Sequence, residues 1–239
     1  MVAVAFAYNG VVMRMAVRFG STRPLRSVTP RSTVLAPGAA RSSGVTPSVA
    51  PSRVGGYQMR QSETSTGKPL AIGDPYDGGI LAYILKSGDP GYLAGETHGL
   101  IASTADQDDG TGIPWSIGGM RITGAQATAL GIGSTNTTRI IRSLGSPATG
   151  YAAGLARACT DGGYSDWYLP SKDELDQLYL NQAAVGGFHT ASEDWPWYWS
   201  SSELESYPNS AWTQYFDDGS QCFGNNEDYT GRVRAVRAF

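Results

Sequence analysis

The chain is poor in the residues that do most enzyme chemistry. Among its 239 residues there are only two histidines and two cysteines. His98 and His189 have no partner at metal-ligand spacing, so no zinc site is spelled out. Cys159 and Cys222 allow one disulfide at most, and spacing alone does not bring them together. Cys159 falls on an apolar helical face and reads as a small buried hydrophobe; Cys222 reads as one of the contents of a polar C-terminal segment. Charged residues make up 16% of the chain, and no run of about twenty apolar residues encodes a transmembrane helix. There is no glycine-rich phosphate loop, and Ser200, Ser201 and Ser202 lack the GxSxG spacing of a nucleophile elbow. Asp173 and Asp176 belong to a helix start, where acids suit the dipole. Asp217–Asp218 and Glu227–Asp228 are adjacent loop acids, read as solvated or as ligand contacts. Asp106, Asp108 and Asp109 supply oxygen atoms of the kind calcium takes, without EF-hand spacing or its terminal Glu, so ADQDDGTG reads as a turn. The residues point to no enzyme and to no cofactor or metal.

Charge of one sign is missing from the first quarter. Residues 1–60 contain Arg14, Arg18, Arg23, Arg26, Arg31, Arg41, Arg53 and Arg60 and no acid. Those eight leave ten basic residues against 21 acids in residues 61–239, a balance of about −11. A basic arm on an acidic globule is implied, and such a globule is a poor nucleic-acid binder.

Residues 1–19 read as a β-hairpin. Val2, Val4, Phe6 and Tyr8 alternate with alanines, Asn9-Gly10 suits a type I′ turn, and Met13, Met15, Val17 and Phe19 alternate with Arg14, Ala16 and Arg18. The start lacks a basic n-region, and Arg14 and Arg18 interrupt the apolar residues after it, so a signal peptide is the weaker reading. An isolated hairpin is marginal in water. It is expected to attach to sister subunits or a larger assembly, or else to pack on its own domain. Residues 20–73, rich in Ser, Thr, Pro, Arg and Gly, read as an extended tether.

Residues 74–239 read as one α+β domain. Gly79–Leu85 and Gly99–Ala102 are expected strands. Ser134–Leu144 is an expected helix stopped by Gly145, and Tyr151–Cys159 another. Ser171 with Glu174 three residues on is a capping box, followed by Leu175, Leu178 and Tyr179 on one face. From Trp197 short strands and turns dominate, and the strands at the two ends of the domain are placed to pair with each other.

Residues 198–239 carry most of the functional information. Tyr198-Trp199-Ser200-Ser201-Ser202, Ala211-Trp212, Phe216, Gly219 and Val233–Arg237 are suited to strands and a packed floor. Between them lie aperiodic polar and aromatic stretches. Tyr207, Tyr215, Phe223 and Tyr229 sit there among Ser, Gly, Asn and Asp, the composition of a binding paratope. Trp167, Trp199 and Trp212 read as core.

The runs GGILAYIL, HGLIA, ADQ, TGIPW, TGAQATALGIGSTNT, YAAGLARACTDGGYSDWYLPSKDELDQLYLNQAAVGGF, YWSSSE, AW-x-Q-x-F and VRAVRAF resemble the Lcl C-terminal-type domain over about residues 76–239. Asp161–Phe188 is the most specific part. The resemblance implies a fold like those of C-type lectins and formylglycine-generating enzymes: central helices and short antiparallel C-terminal strands. It also implies likeness to bacterial adhesin tips and to the variable proteins of diversity-generating retroelements, often phage receptor-binding proteins. In these, adenine-directed mutagenesis rewrites selected C-terminal codons. The positions here that match such a variable face are Leu204, Ser206, Tyr207, Asn209, Ser210, Tyr215, Asp217, Ser220, Cys222, Phe223, Asn225, Asn226, Asp228 and Tyr229. The expected partner is a protein or glycan receptor on a target cell, and the expected location a virion or an extracellular surface. A fixed-sequence adhesin or carbohydrate-binding module is the alternative. Cys159 and Cys222 do not match the catalytic cysteine pair of the formylglycine-generating branch, and the Glu-Pro-Asn, Gln-Pro-Asp and Trp-Asn-Asp signatures of calcium-dependent lectins are missing.

Overall fold

A computed structural model describes residues 2–8, 11–17, 69–118, 121–145, 148–191, 196–207, 210–225 and 229–239. At the N-terminus, β1 (Val2–Tyr8) and β2 (Val11–Val17) pair antiparallel with Tyr8 opposite Val11 and Val2 opposite Val17. That register leaves two residues for the connection, as expected; the Asn9-Gly10 turn itself and nearly all of the tether lie outside the described residues.

The domain is a mixture of helices and antiparallel sheets. Strands β3 (Pro75–Tyr76), β4 (Gly79–Ile84) and β5 (Gly99–Ala102) open it. β6 (Ile113–Pro114) comes next, and then the helices α1 (Gly133–Leu144), α2 (Ala152–Arg157), α3 (Lys172–Leu180) and α4 (Gln182–Val185). Strands β7 (Trp197–Glu203), β8 (Ser210–Tyr215), β9 (Gln221–Asn225), β10 (Thr230–Gly231) and β11 (Val236–Ala238) close it. One sheet has the order β11-β5-β4-β3, so the last strand lies beside β5 near the start of the domain, with Arg237 opposite Ile101. A second sheet has the order β7-β8-β9, and β6 pairs with β10.

The helix boundaries reflect their caps. α1 buries Thr137, Ile140 and Leu144, and Gly145 ends it with φ 73°, a conformation that costs a glycine least. The capping box of α3 is present: Ser171 Oγ accepts from Glu174 N at 3.2 Å, and Glu174 Oε2 accepts from Ser171 N at 2.7 Å. Glu174 does more than its sequence position implies. It is buried, and its Oε1 accepts from Gly131 N at 2.9 Å, so one carboxylate ties the starts of α1 and α3 together. Burial pushes its pKa up, and the backbone N–H donors oppose that rise.

β7 separates two apolar clusters because strand side chains alternate. Trp197 and Trp199 point into one cluster with Trp115, Ile140, Tyr151, Trp167 and Ala211. Tyr198 points into the other with Leu175, Leu178, Phe216 and Val236. Every residue of β7 is buried, so the strand is a wall shared by both cores.

Candidate functional site

The C-terminal segment is fixed first along β7. Trp115 Nε1 donates to Ser200 O at 2.7 Å, Trp199 Nε1 to Ile113 O at 2.8 Å, and Ser200 Oγ to Trp212 O at 2.8 Å. Ser202 Oγ donates to Ala127 O at 2.8 Å and accepts from Lys172 N at 3.0 Å. Two of the three consecutive serines thus stitch the wall to its neighbours through their hydroxyls. Glu203, also buried, accepts from Thr123 N, Thr123 Oγ1 and Gly124 N at 3.0–3.1 Å, which holds the segment before α1 against the end of β7.

The other end of the segment is held by charge. Asp106 Oδ1 accepts from Arg234 Nε at 2.8 Å, and its Oδ2 accepts from Tyr198 Oη at 2.9 Å. Arg234 donates further to Ser103 O and Gly187 O, and its guanidinium lies 4.3 Å from the centre of the Phe188 ring. Asp108 Oδ1 accepts from Val233 N at 3.0 Å, while its Oδ2 accepts from Gly110 N and Gly112 N. Arg232 Nη1 stands 3.8 Å from both Asp106 and Asp108. Arg237 makes a two-pronged pair with Asp166 at 2.9 and 3.2 Å and stacks 3.6 Å over Tyr164. Burial raises the Asp106 pKa, and the Arg234 charge opposes that shift. The acids Asp106 and Asp108 of ADQDDGTG are therefore spent on arginines and on loop amides, as a turn requires. Among the described residues no group of three or more His, Cys, Asp or Glu side chains is arranged to hold a metal ion.

Between these anchors the expected face residues separate into groups. Tyr207 is 59% exposed and stacks on Phe223, with ring centres 5.6 Å apart and planes 11° from parallel. Ser206 and Asp217 are exposed, and Leu204 and Ser220 are half-buried. The turn into β8 is compact: Leu204 N donates to Ser210 O, and Ser210 N to Tyr207 O. Tyr215 and Tyr229 are half-buried and pack against the larger core cluster, so the four aromatics do not form one exposed set. Two further expectations are corrected. Cys222 and Ser210 are buried, because Cys222 shares its side of the sheet with Thr213, Trp199 and the core, and Ser210 is enclosed at the start of β8. Of Asn225 only the strand backbone is described, and Asn209, Asn226 and Asp228 lie outside the described residues.

Two contributors escaped the sequence reading. Trp212, expected as core, is half-buried and opposite Phe223 in the register, so both rings stand on the α3 side of the sheet. Lys172, the first residue of α3, holds its Nζ 4.8 Å from the centre of the Trp212 ring. The alternation of Ala211-Trp212-Thr213-Gln214 was the available signal, since Trp212 shares a side with Gln214 and not with Ala211. On that side Gln214 Nε2 donates to Asp176 Oδ1 at 2.7 Å, and Gln221 Nε2 donates to Gln214 Oε1 at 3.2 Å. Lys172, Trp212, Phe223 and Tyr207 thus form a row across α3, β8, β9 and the β7–β8 turn.

The family described as the Lcl C-terminal domain matches residues 105–237. The chain belongs to this family. No curated protein matches it. The matched span of the Lcl C-terminal domain contains both halves of the charged anchor, Asp106 and Asp108 at one end and Arg232, Arg234 and Arg237 at the other. β3, β4 and β5 lie before it in sequence, yet they complete the sheet in which β11 is an outer strand.

Proposed function

We propose that this Lcl C-terminal domain is a non-enzymatic ligand-display module with a C-type-lectin-like fold, and that residues 198–239 form its receptor-binding face. One observation carries the reading. The segment is anchored at both ends by buried bonds, through the β7 serines and Glu203 and through Arg232 and Arg234. Ser206, Tyr207 and Asp217 stand out into solvent between those anchors. Side chains so placed are free to differ without disturbing the floor beneath them, and rigid scaffolds with exposed loops are where binding residues concentrate. The tyrosines, serines and asparagines of the segment have the chemistry of a paratope.

The same arrangement suits a protein diversified by a retroelement and carried on a virion or an extracellular surface, with the N-terminal hairpin as its mount on sister subunits or a larger assembly. Sequencing the locus in sibling isolates tests this. The expected result is substitutions concentrated at exposed positions such as Ser206, Tyr207 and Asp217, with a reverse transcriptase gene and a near-copy of the 3′ coding end nearby. An invariant tail without those neighbours would make the protein a fixed-sequence adhesin or carbohydrate-binding module. Binding itself is tested by applying Tyr207→Ala and Phe223→Ala together: cell-surface binding should be lost while the fold persists.

A further inference from the structure

Granted the display reading, the row of rings on the α3 side also indicates what kind of partner it accepts. Tyr207 offers its ring at the surface, Phe223 stacks beneath it, and Trp212 is next in the register. Aromatic faces carry negative electrostatic potential and attract cations within about 6 Å of the ring centre. The Trp212 face already does so, because the Lys172 ammonium sits 4.8 Å above it.

Carboxylates flank the row at both ends. Glu205, two residues before Tyr207, is exposed, and the Asp173 side chain is 46% exposed beside Lys172. The three arginines of residues 198–239 offer no balance, since Arg232 and Arg234 are engaged with Asp106 and Asp108, and Arg237 with Asp166. Lys172 is the basic residue within the row, and its charge is turned onto Trp212. A polyanionic glycan would meet repulsion here. A neutral sugar would find the amides of Gln214 and Gln221 already occupied by Asp176 and by each other. A basic protein segment finds both terms it needs: ring faces for a guanidinium and carboxylates around them.

We infer that the Lys172–Trp212–Phe223–Tyr207 row is a recognition site for an arginine-bearing segment of a protein receptor. The Lys172 ammonium marks the place a partner's cation takes. The partner supplies the guanidinium; the chain's own arginine-rich N-terminal arm is the rival source of the same group.

The test is an NMR titration of the full-length protein with a capped nonapeptide of alternating Gly and Arg, with its Gly-Glu counterpart and a heparin hexasaccharide run in parallel. The Arg peptide should move the Trp212 indole N–H and the Tyr207 ring signals, saturably and less at high salt. Tyr207→Ala should weaken that binding at least about fivefold, the worth of one cation–π contact, while Tyr207→Phe retains it. Lys172→Ala should tighten it, because a competing internal cation is removed. Silence of these signals toward the Arg peptide would overturn the inference, as would an equal response to the hexasaccharide. So would movement of the Tyr207 signals when the eight arginines of residues 1–60 are changed to Gln without added peptide, since the arm would then be the occupant. If the peptide fails while Tyr207→Ala with Phe223→Ala still abolishes cell binding, the display reading stands and this one falls.

Discussion

Arg234 donates its Nε to Asp106 Oδ1 at 2.8 Å across 128 positions of sequence, and neither side chain is more than slightly exposed. A buried pair of this kind is expensive to break, because removing one partner strands the other charge away from water. Asp106 also accepts from Tyr198, so its loss would leave that buried hydroxyl's proton without its acceptor, while the oxygen keeps its bond from His189 N. Asp106→Ala should therefore lower the unfolding free energy by about 3–5 kcal/mol in urea denaturation. A double-mutant cycle with Arg234→Ala should show strong coupling. Additive losses would mean that the pair does not anchor the C-terminal segment.

Glu174 gives the stability a particular dependence on pH. Burial raises its folded pKa above the unfolded value, so the folded state keeps its proton longer. Its contribution is then fully present below the unfolded pKa and is lost as pH rises through the folded one. Glu174→Gln removes that titration. The stability difference between wild type and Glu174→Gln should be largest at acid pH and should shrink as pH climbs out of the carboxylate range. A gap that widens with pH would show that the charged carboxylate, held by its amide donors, is the stabilising form.

The aromatic residues of the C-terminal segment should divide by stability. Tyr207 is largely exposed, and Tyr207→Ala should change the unfolding free energy by no more than about 0.5 kcal/mol. Tyr215 and Tyr229 pack on the larger core, and truncating either to Ala should cost on the order of 1–3 kcal/mol. Thermal melts of the three single variants decide the matter. A loss for Tyr207→Ala equal to the other two would place it in the core.

Cys222 supplies a chemical check on the same division. It is a free, buried thiol, as is Cys159, whose pKa burial pushes up to about 11. Thiolates rather than thiols react with disulfide reagents, and only where they are accessible. Ellman's reagent should modify neither cysteine in the native protein at neutral pH and both in denaturant. Rapid native modification, mapped to Cys222 with the Cys222→Ser variant, would return that residue to the surface.

Much of this was legible in the residues. Local rules suffice wherever a pattern repeats over one element: the alternation and two-residue connection of the hairpin, the Ser171–Glu174 capping box, the apolar positions of α1, the Gly145 stop and the strand Gly99–Ala102. Even the pairing of the two ends of the domain was readable, since short apolar strands at both ends need a neighbour. The family was readable too, because Asp161–Phe188 is a dense run of unusual residues. What the sequence could not supply was the side on which a residue of an aperiodic segment points. Ser210, Tyr215, Cys222 and Tyr229 have the same composition around them as Tyr207, and only β8 packed between β7 and β9 turns Cys222 toward Trp199 and leaves Tyr207 in solvent. The partners of Asp106, Asp108 and Glu174 were equally hidden, because a carboxylate's energy depends on donors brought to it from distant segments. The sequence alone thus determined the elements, the family and the region of interest, through short-range periodicity and capping. The tertiary structure decided which side chains of that region are floor and which are face, since burial is a property of packed layers and not of neighbours along the chain.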